Sequence, residues 1–208
     1  MDIETNKYLG GVGALLIVIG FLGFFGSGWA GLLDLVGLIL VLIAMKGLAD
    51  TYNEQGIFNN ALYGIIAAII GVVAFVGALV ATVLTAIASG FNFSDPSTWA
   101  QQFTDISALW NVFGTAITGI IISLIVLFVF FIIAFILIRK SLNLLASKSG
   151  VGMFATAGLL MLIGAVLTII IIGLVLIWIG FILLIVAFFS IKAQHTMPAS
   201  TTPQQPPT

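Results

Sequence analysis

The chain has 208 residues, of which 62% are hydrophobic and only 6% charged, with 6 Lys+Arg against 7 Asp+Glu. A soluble domain carries about 25% charged residues, so this composition excludes an ordinary soluble enzyme or binding module and implies a chain dissolved in lipid. The net charge of -1 argues against nucleic-acid binding, and the absence of cysteine excludes disulfides, thiolate metal sites and a cysteine nucleophile.

About 20 apolar residues cross a hydrocarbon core of about 30 Å. After an acidic N-terminal segment, residues 1–8, the first apolar run reads as two helices, 9–26 and 29–48, broken at Gly26-Ser27-Gly28. A polar loop, Ala49 to Asn59, leads to a third helix, 60–88. In the next loop, Ser94-Asp95-Pro96 reads as a helix start, and Trp99, Phe103, Ile106 and Trp110 recur on one helical face. That pattern predicts a short interfacial helix. The fourth helix covers 110–138 and a basic loop follows, Arg139 to Gly152.

The run Met153 to Ile191 carries no charge and would be about 58 Å long as one helix, nearly twice the core. Two helices, 153–172 and 174–191, turning near Gly173, fit better. Residues 192–208 are rich in Pro, Thr and Gln and predict a disordered tail. The expected fold class is therefore all-α: a polytopic integral membrane protein with six transmembrane helices in one domain, residues 9–191.

Charge tests the count. With six spans, Lys7, Lys46, Arg139, Lys140, Lys148 and Lys192 share one side, while Asp34, Asp95 and Asp105 lie towards the other. The positive-inside rule then places both termini in the cytoplasm of a cell membrane. Five spans would move Lys192 outside. Trp29, Trp99, Trp110 and Trp178 fall near the outer interface and Tyr8, Tyr52 and Tyr63 near the inner one, as amphipathic rings do. Gly28-Trp29-Ala30 resembles a signal-peptidase site, but the acidic N-terminus and the loss of one span speak against cleavage.

The first and last hairpins look alike. Leu15, Leu16, Ile19 and Gly20 match Leu159, Leu160, Ile163 and Gly164; Gly37, Ile39, Leu40 and Ala44 match Gly180, Ile182, Leu183 and Ala187. Such a repeat is parallel, about an axis normal to the membrane. The third helix carries a seam of small residues at spacings of three and four: Gly64, Ala67, Gly71, Ala74, Ala78, Ala81, Thr85 and Ala88. It suits close packing inside the bundle, or contact with a second copy or another membrane protein. Thr115, Gly119 and Ser123 offer a partial counterpart on the fourth helix.

Asp34 is the candidate intramembrane ionisable residue. It either reaches the outer headgroups near a helix N-terminus or forms a proton- or cation-responsive site. The densest polar cluster is the loop between helices two and three, with Lys46, Asp50, Tyr52, Asn59, Asn60 and Tyr63. There Lys46 and Asp50 are one turn apart and can pair, Gly56 fits a helix stop, and Asn59 or Asn60 fits a cap. The single histidine, His195, lies in the tail, so a His-based metal cluster or triad is excluded. No metal or cofactor is expected, and no nucleophile sits beside a base.

The segments Lys46-Gly47-Leu48-Ala49-Asp50-Thr51-Tyr52 and Gly56-Ile57-Phe58-Asn59-Asn60-Ala61-Leu62-Tyr63 form a specific motif. With Gly37-Leu38-Ile39-Leu40 and Ala187-Phe188-Phe189-Ser190-Ile191, the chain resembles, from Leu9 to Ile191, the archaeal membrane-protein family catalogued as domain of unknown function 996. Thr51 stands where that family commonly has an aromatic and Gln55 where a basic residue is common. The resemblance implies a small multispan protein of an archaeal cytoplasmic membrane and supplies no activity, substrate or catalytic residue. The sparse intramembrane polarity predicts a non-enzymatic structural or interaction component whose surroundings are the lipid bilayer. The alternative is a small channel or transporter for protons, cations or a small solute.

Overall fold

A computed structural model of the chain describes residues 2–23, 30–88, 106–170 and 172–192, apart from the side chains at 30, 86, 106, 108, 109, 111 and 112. The described residues form helices α1 (Ile3–Gly23), α2 (Ala30–Thr51), α3 (Gln55–Ala88), α4 (Ile106–Ser149), α5 (Met153–Leu167) and α6 (Ile172–Phe189), with a 3-10 turn, Thr168–Ile170, after α5. Six of the described segments are long and apolar enough to cross a membrane, and the described residues contain no strand. The expectations for Gly26-Ser27-Gly28, Trp29, Ser94-Asp95-Pro96, Trp99, Phe103, Asp105, His195 and the tail beyond Lys192 lie outside the described residues.

The helices run past the limits that hydropathy sets. Helix α1 begins at Ile3 instead of Leu9, with Glu4 in its first turn, where the helix dipole favours a carboxylate. The basic loop expected from Arg139 is helical as far as Ser149. Arg and Lys are good helix formers, and Ser141, Leu142 and Leu145 are buried, so packing continues the helix after the apolar run stops. Gly150, at φ 73, ends it.

The loop expected from Ala49 to Asn59 contracts to Tyr52–Glu54. Asn53 adopts φ 50, Glu54 N–H donates to Ala49 O at 2.9 Å, and Asn53 N–H donates to Asp50 O at 3.3 Å. This is a Schellman closure with Asn in the left-handed position. Gly56 is therefore not the stop. It lies in the first turn of α3, where an added Cβ would meet Leu144 Cδ1 at 2.8 Å.

The last break comes before Gly173. Thr168 turns its hydroxyl back to Gly164 O at 2.9 Å, and the 3-10 turn begins there. Gly173 instead sits in the first turn of α6, pressed against Gly164; a Cβ on Gly164 would stand 2.7 Å from Gly173 O. The two end hairpins close in one register. A Cβ on Gly37 would meet Gly13 O at 2.5 Å and Ile17 Cγ1 at 2.9 Å. One on Gly180 would meet Ala157 O at 3.4 Å and Met161 Cγ at 2.6 Å. Ala157 and Met161 correspond to Gly13 and Ile17 under the alignment that pairs Gly20 with Gly164.

Each helix packs on its neighbours in sequence, and α6 closes back on α1. The large buried side chains, Leu48, Ile57, Leu142, Leu145, Phe154, Phe188 and Ile191, gather towards the end where α2 meets α3 and α4 meets α5. That end also carries Lys7, Lys46, Lys148 and Lys192. The small-residue seam packs within the chain: a Cβ on Gly64 would meet Ala134 O at 2.9 Å, and one on Gly71 would meet Phe130 Cβ at 2.6 Å. Beyond Gly71 the contact departs from the expected heptad. Ala74 and Ala81 are exposed, whereas Phe75, Ala78 and Thr82 are partly buried. A straight helix drifts about 20° per heptad from a 3.5-residue repeat, which moves the contact one residue onward.

Adding bulk at the first crossing should open it. Gly13→Val is expected to cost about 1–3 kcal/mol by overpacking, read as a lower unfolding midpoint in detergent. Gly77→Ala and Gly114→Ala, where a Cβ meets nothing within 4 Å among the described residues, should leave the midpoint unchanged or raise it.

Candidate functional site

The densest cluster of polar residues in the described chain lies where the α2–α3 turn meets the C-terminal part of α4. Lys46 Nζ lies 3.9 Å from Asp50 Oδ2, one helical turn on, and 5.1 Å from the centre of the Phe58 ring. Gln55 Nε2 donates to Asp50 Oδ1 at 2.9 Å across the turn. Glu54 Oε2 pairs with Lys148 Nζ at 3.4 Å, joining the turn to α4. Beneath this pair, the buried Ser141 hydroxyl donates to Ile57 O, which ties α4 to α3. The ion pairs are solvent-facing and each contributes about 0–1 kcal/mol. The Ser141 bond is shielded from water and is worth more.

The motif residues divide. Lys46 and Asp50 belong to this network. Tyr52 is half-buried beside it, and burial of its ring pushes the phenol above its ordinary range. Asn59 and Asn60 do not cap α3, because the helix has already begun at Gln55; Asn60 Nδ2 instead donates back to Gly56 O at 2.6 Å, and Asn59 is exposed. Tyr63 is 58% exposed and stands apart, on the outward side of α3.

Asp34 occupies the second turn of α2, near the opposite end of the bundle. It is only partly exposed, and its Oδ1 is enclosed and meets no hydrogen-bond donor among the described residues. Its counterpart in the hairpin repeat, Ile177, is buried against Gly164. Trp178 also does more than anchor: its Nε1–H donates to Val18 O at 3.3 Å, linking α6 to α1.

Asn6 is a feature that sequence reasoning missed. It is fully buried, and among the described residues neither its Oδ1 nor its Nδ2 has a hydrogen-bond partner. Its carboxamide lies against Gly47, in the space a Cβ would need. The glycine Cα–H therefore faces the amide, a weak contact of the C–H···O kind. The signal was present: Asn6, Gly10 and Gly13 recur at spacings of four and three, so extending α1 back in phase puts Asn6 on its buried face. Among the described residues no group of three or more His, Cys, Asp or Glu is placed to hold a metal ion.

Six long apolar helices, buried polarity confined to a few joints and a basic end define a polytopic membrane protein. Residues 33–182 match the family described as protein of unknown function DUF996, and the chain belongs to that family. The match is narrower than the expected Leu9 to Ile191, and it includes the α2–α3 motif. The chain is also 28% identical over 192 residues to the uncharacterized protein MJ1644 of Methanocaldococcus jannaschii, covering 92% of this chain and 94% of that one. No solved structure matches.

Two measurements check this site. Ser141→Ala should cost about 1 kcal/mol in unfolding free energy, because it removes the shielded bond between α4 and α3 while Ile57 O keeps its acceptor role within α3. Lys148→Ala should cost under about 1 kcal/mol. In a spectrophotometric titration, a phenolate component should ionise above about 10, the ordinary tyrosine value, and disappear in Tyr52→Phe.

Proposed function

We propose that the chain is a non-enzymatic structural or interaction component of the cytoplasmic membrane, with both termini and the Lys46–Lys148 network facing the cytoplasm. One observation carries this reading: the polar groups at the basic end bind one another, within α2 and from helix to helix. Ser141 holds Ile57 O, Lys148 holds Glu54, and Asp50 holds both Lys46 and Gln55. A site for turnover needs polar groups converging on a substrate, and these converge on one another. The clustering of the described lysines at one end supports the orientation.

A second reading rests on Asp34, whose enclosed, unpartnered oxygen suits a proton or cation pathway. Proton and monovalent-cation flux in proteoliposomes separates the two. Wild type and Asp34→Asn should both match empty liposomes. Flux by wild type that is lost in the variant would replace the structural reading with conduction through Asp34. Flux retained in the variant would mean conduction by another route. Substrate-dependent turnover by the purified chain would overturn the non-enzymatic reading. Because the chain lacks cysteine, Ser147→Cys also tests orientation in cells: a membrane-permeant maleimide should label it and an impermeant one should not.

A further inference from the structure

The bundle changes length at the turn between α5 and α6. There Val72 of α3 and Leu124 and Phe128 of α4 stand beside Thr168, Ile169 and Leu174, around an open groove of about 590 Å³. Beyond Val72, α3 continues to Ala88, about 24 Å at 1.5 Å per residue. Helix α4 runs alongside it. The α5–α6 turn is thus a ledge, and the longer α3–α4 hairpin is the wall above it.

The ledge is apolar. Ile169 is 73% exposed, and Ile170 and Ile172 are also open. Among the described residues that line the groove, the one hydroxyl, on Thr168, is engaged with Gly164 O at 2.9 Å. Among the described residues of the groove no free polar group is left to hold a polar head, and water there would lie against hydrocarbon on several sides. The volume falls in the range of about 300–1,000 Å³ that suits small-molecule sites. A helix about 10–12 Å across with its side chains would not sink into it.

We propose that this groove holds a single acyl chain of a membrane lipid, laid on Thr168, Ile169 and Leu174 against Val72, Leu124 and Phe128. The tail is the recognised part, so lipids with different headgroups and the same tail should bind alike. Native mass spectrometry of the full chain tests this after delipidation and addition of dioleoyl phosphatidylcholine or dioleoyl phosphatidylglycerol. One retained lipid per chain is expected from either. Retention should fall at least tenfold in Thr168→Trp and Leu174→Trp, which fill the groove, and persist in Val186→Trp on the open face of α6. Equal retention in all variants, or a two-chain species without lipid, would overturn the proposal.

A milder probe covers the case in which the tryptophan variants misfold. Ile169→Cys replaces an exposed side chain in a chain without other cysteines. A bimane on it should be quenched by tail-brominated dioleoyl phosphatidylcholine at least twofold more than one on Val186→Cys. Equal quenching at the two sites would also overturn the proposal.

Discussion

Inside hydrocarbon, apolar side chains gain little by leaving lipid for one another, so helices hold together through close contact and the few hydrogen bonds they share. In this chain the close contact is backbone on backbone. Gly13 against Gly37, and Gly164 against Gly173, bring carbonyl oxygens to within 2.7 Å of where a Cβ would stand. Dispersion falls steeply with separation, so these crossings set how tightly each end hairpin closes. Their placement also determines which other residues meet: Trp178 reaches Val18 O, and Phe188 fills the space beside Gly10.

The polar joints act at the other scale, between hairpins. The α1–α2 pair connects to α3–α4 through a three-residue turn whose geometry depends on Asn53 at φ 50. The Ser141 bond and the Glu54–Lys148 pair then hold the turn against α4. Asn6, like Asp34 Oδ1, is an exception: its buried carboxamide has no hydrogen-bond partner among the described residues and is accommodated because Gly47 presents a C–H instead of a side chain. Buried polar groups without partners destabilise a fold, and the tight α1–α2 crossing at Gly13 and Gly37 holds this one in place.

Length divides the molecule. In an apolar 18-residue stretch of α3 and of α4, 17% of the residues are buried within the chain, against 33–39% in the other four spans. These two helices pack mainly on each other beyond the α5–α6 turn and present isoleucine and valine outward. Such a surface is stable in lipid and would not be in water. The short hairpins beside a long one create the ledge at Thr168, a shape that no single helix contains.

Membrane class, helix number, and the gathering of the lysines at one end follow from hydropathy, parity and charge, because lipid forces each span to be apolar and long. The match between the end hairpins was also readable, since Gly37 and Gly180 occupy equivalent places in the sequence. Helix limits were not readable from hydropathy, which records where the apolar run stops and not where packing stops. Leu142 and Leu145 carry α4 beyond Arg139, and Asn6 carries α1 back before Leu9. Seam register, the burial of Asn6, the enclosure of one Asp34 oxygen and the groove at Thr168 came only from the tertiary structure. Each depends on which helix stands opposite and how far along its axis, and in a chain of near-uniform apolarity the side chains of one helix do not encode that offset.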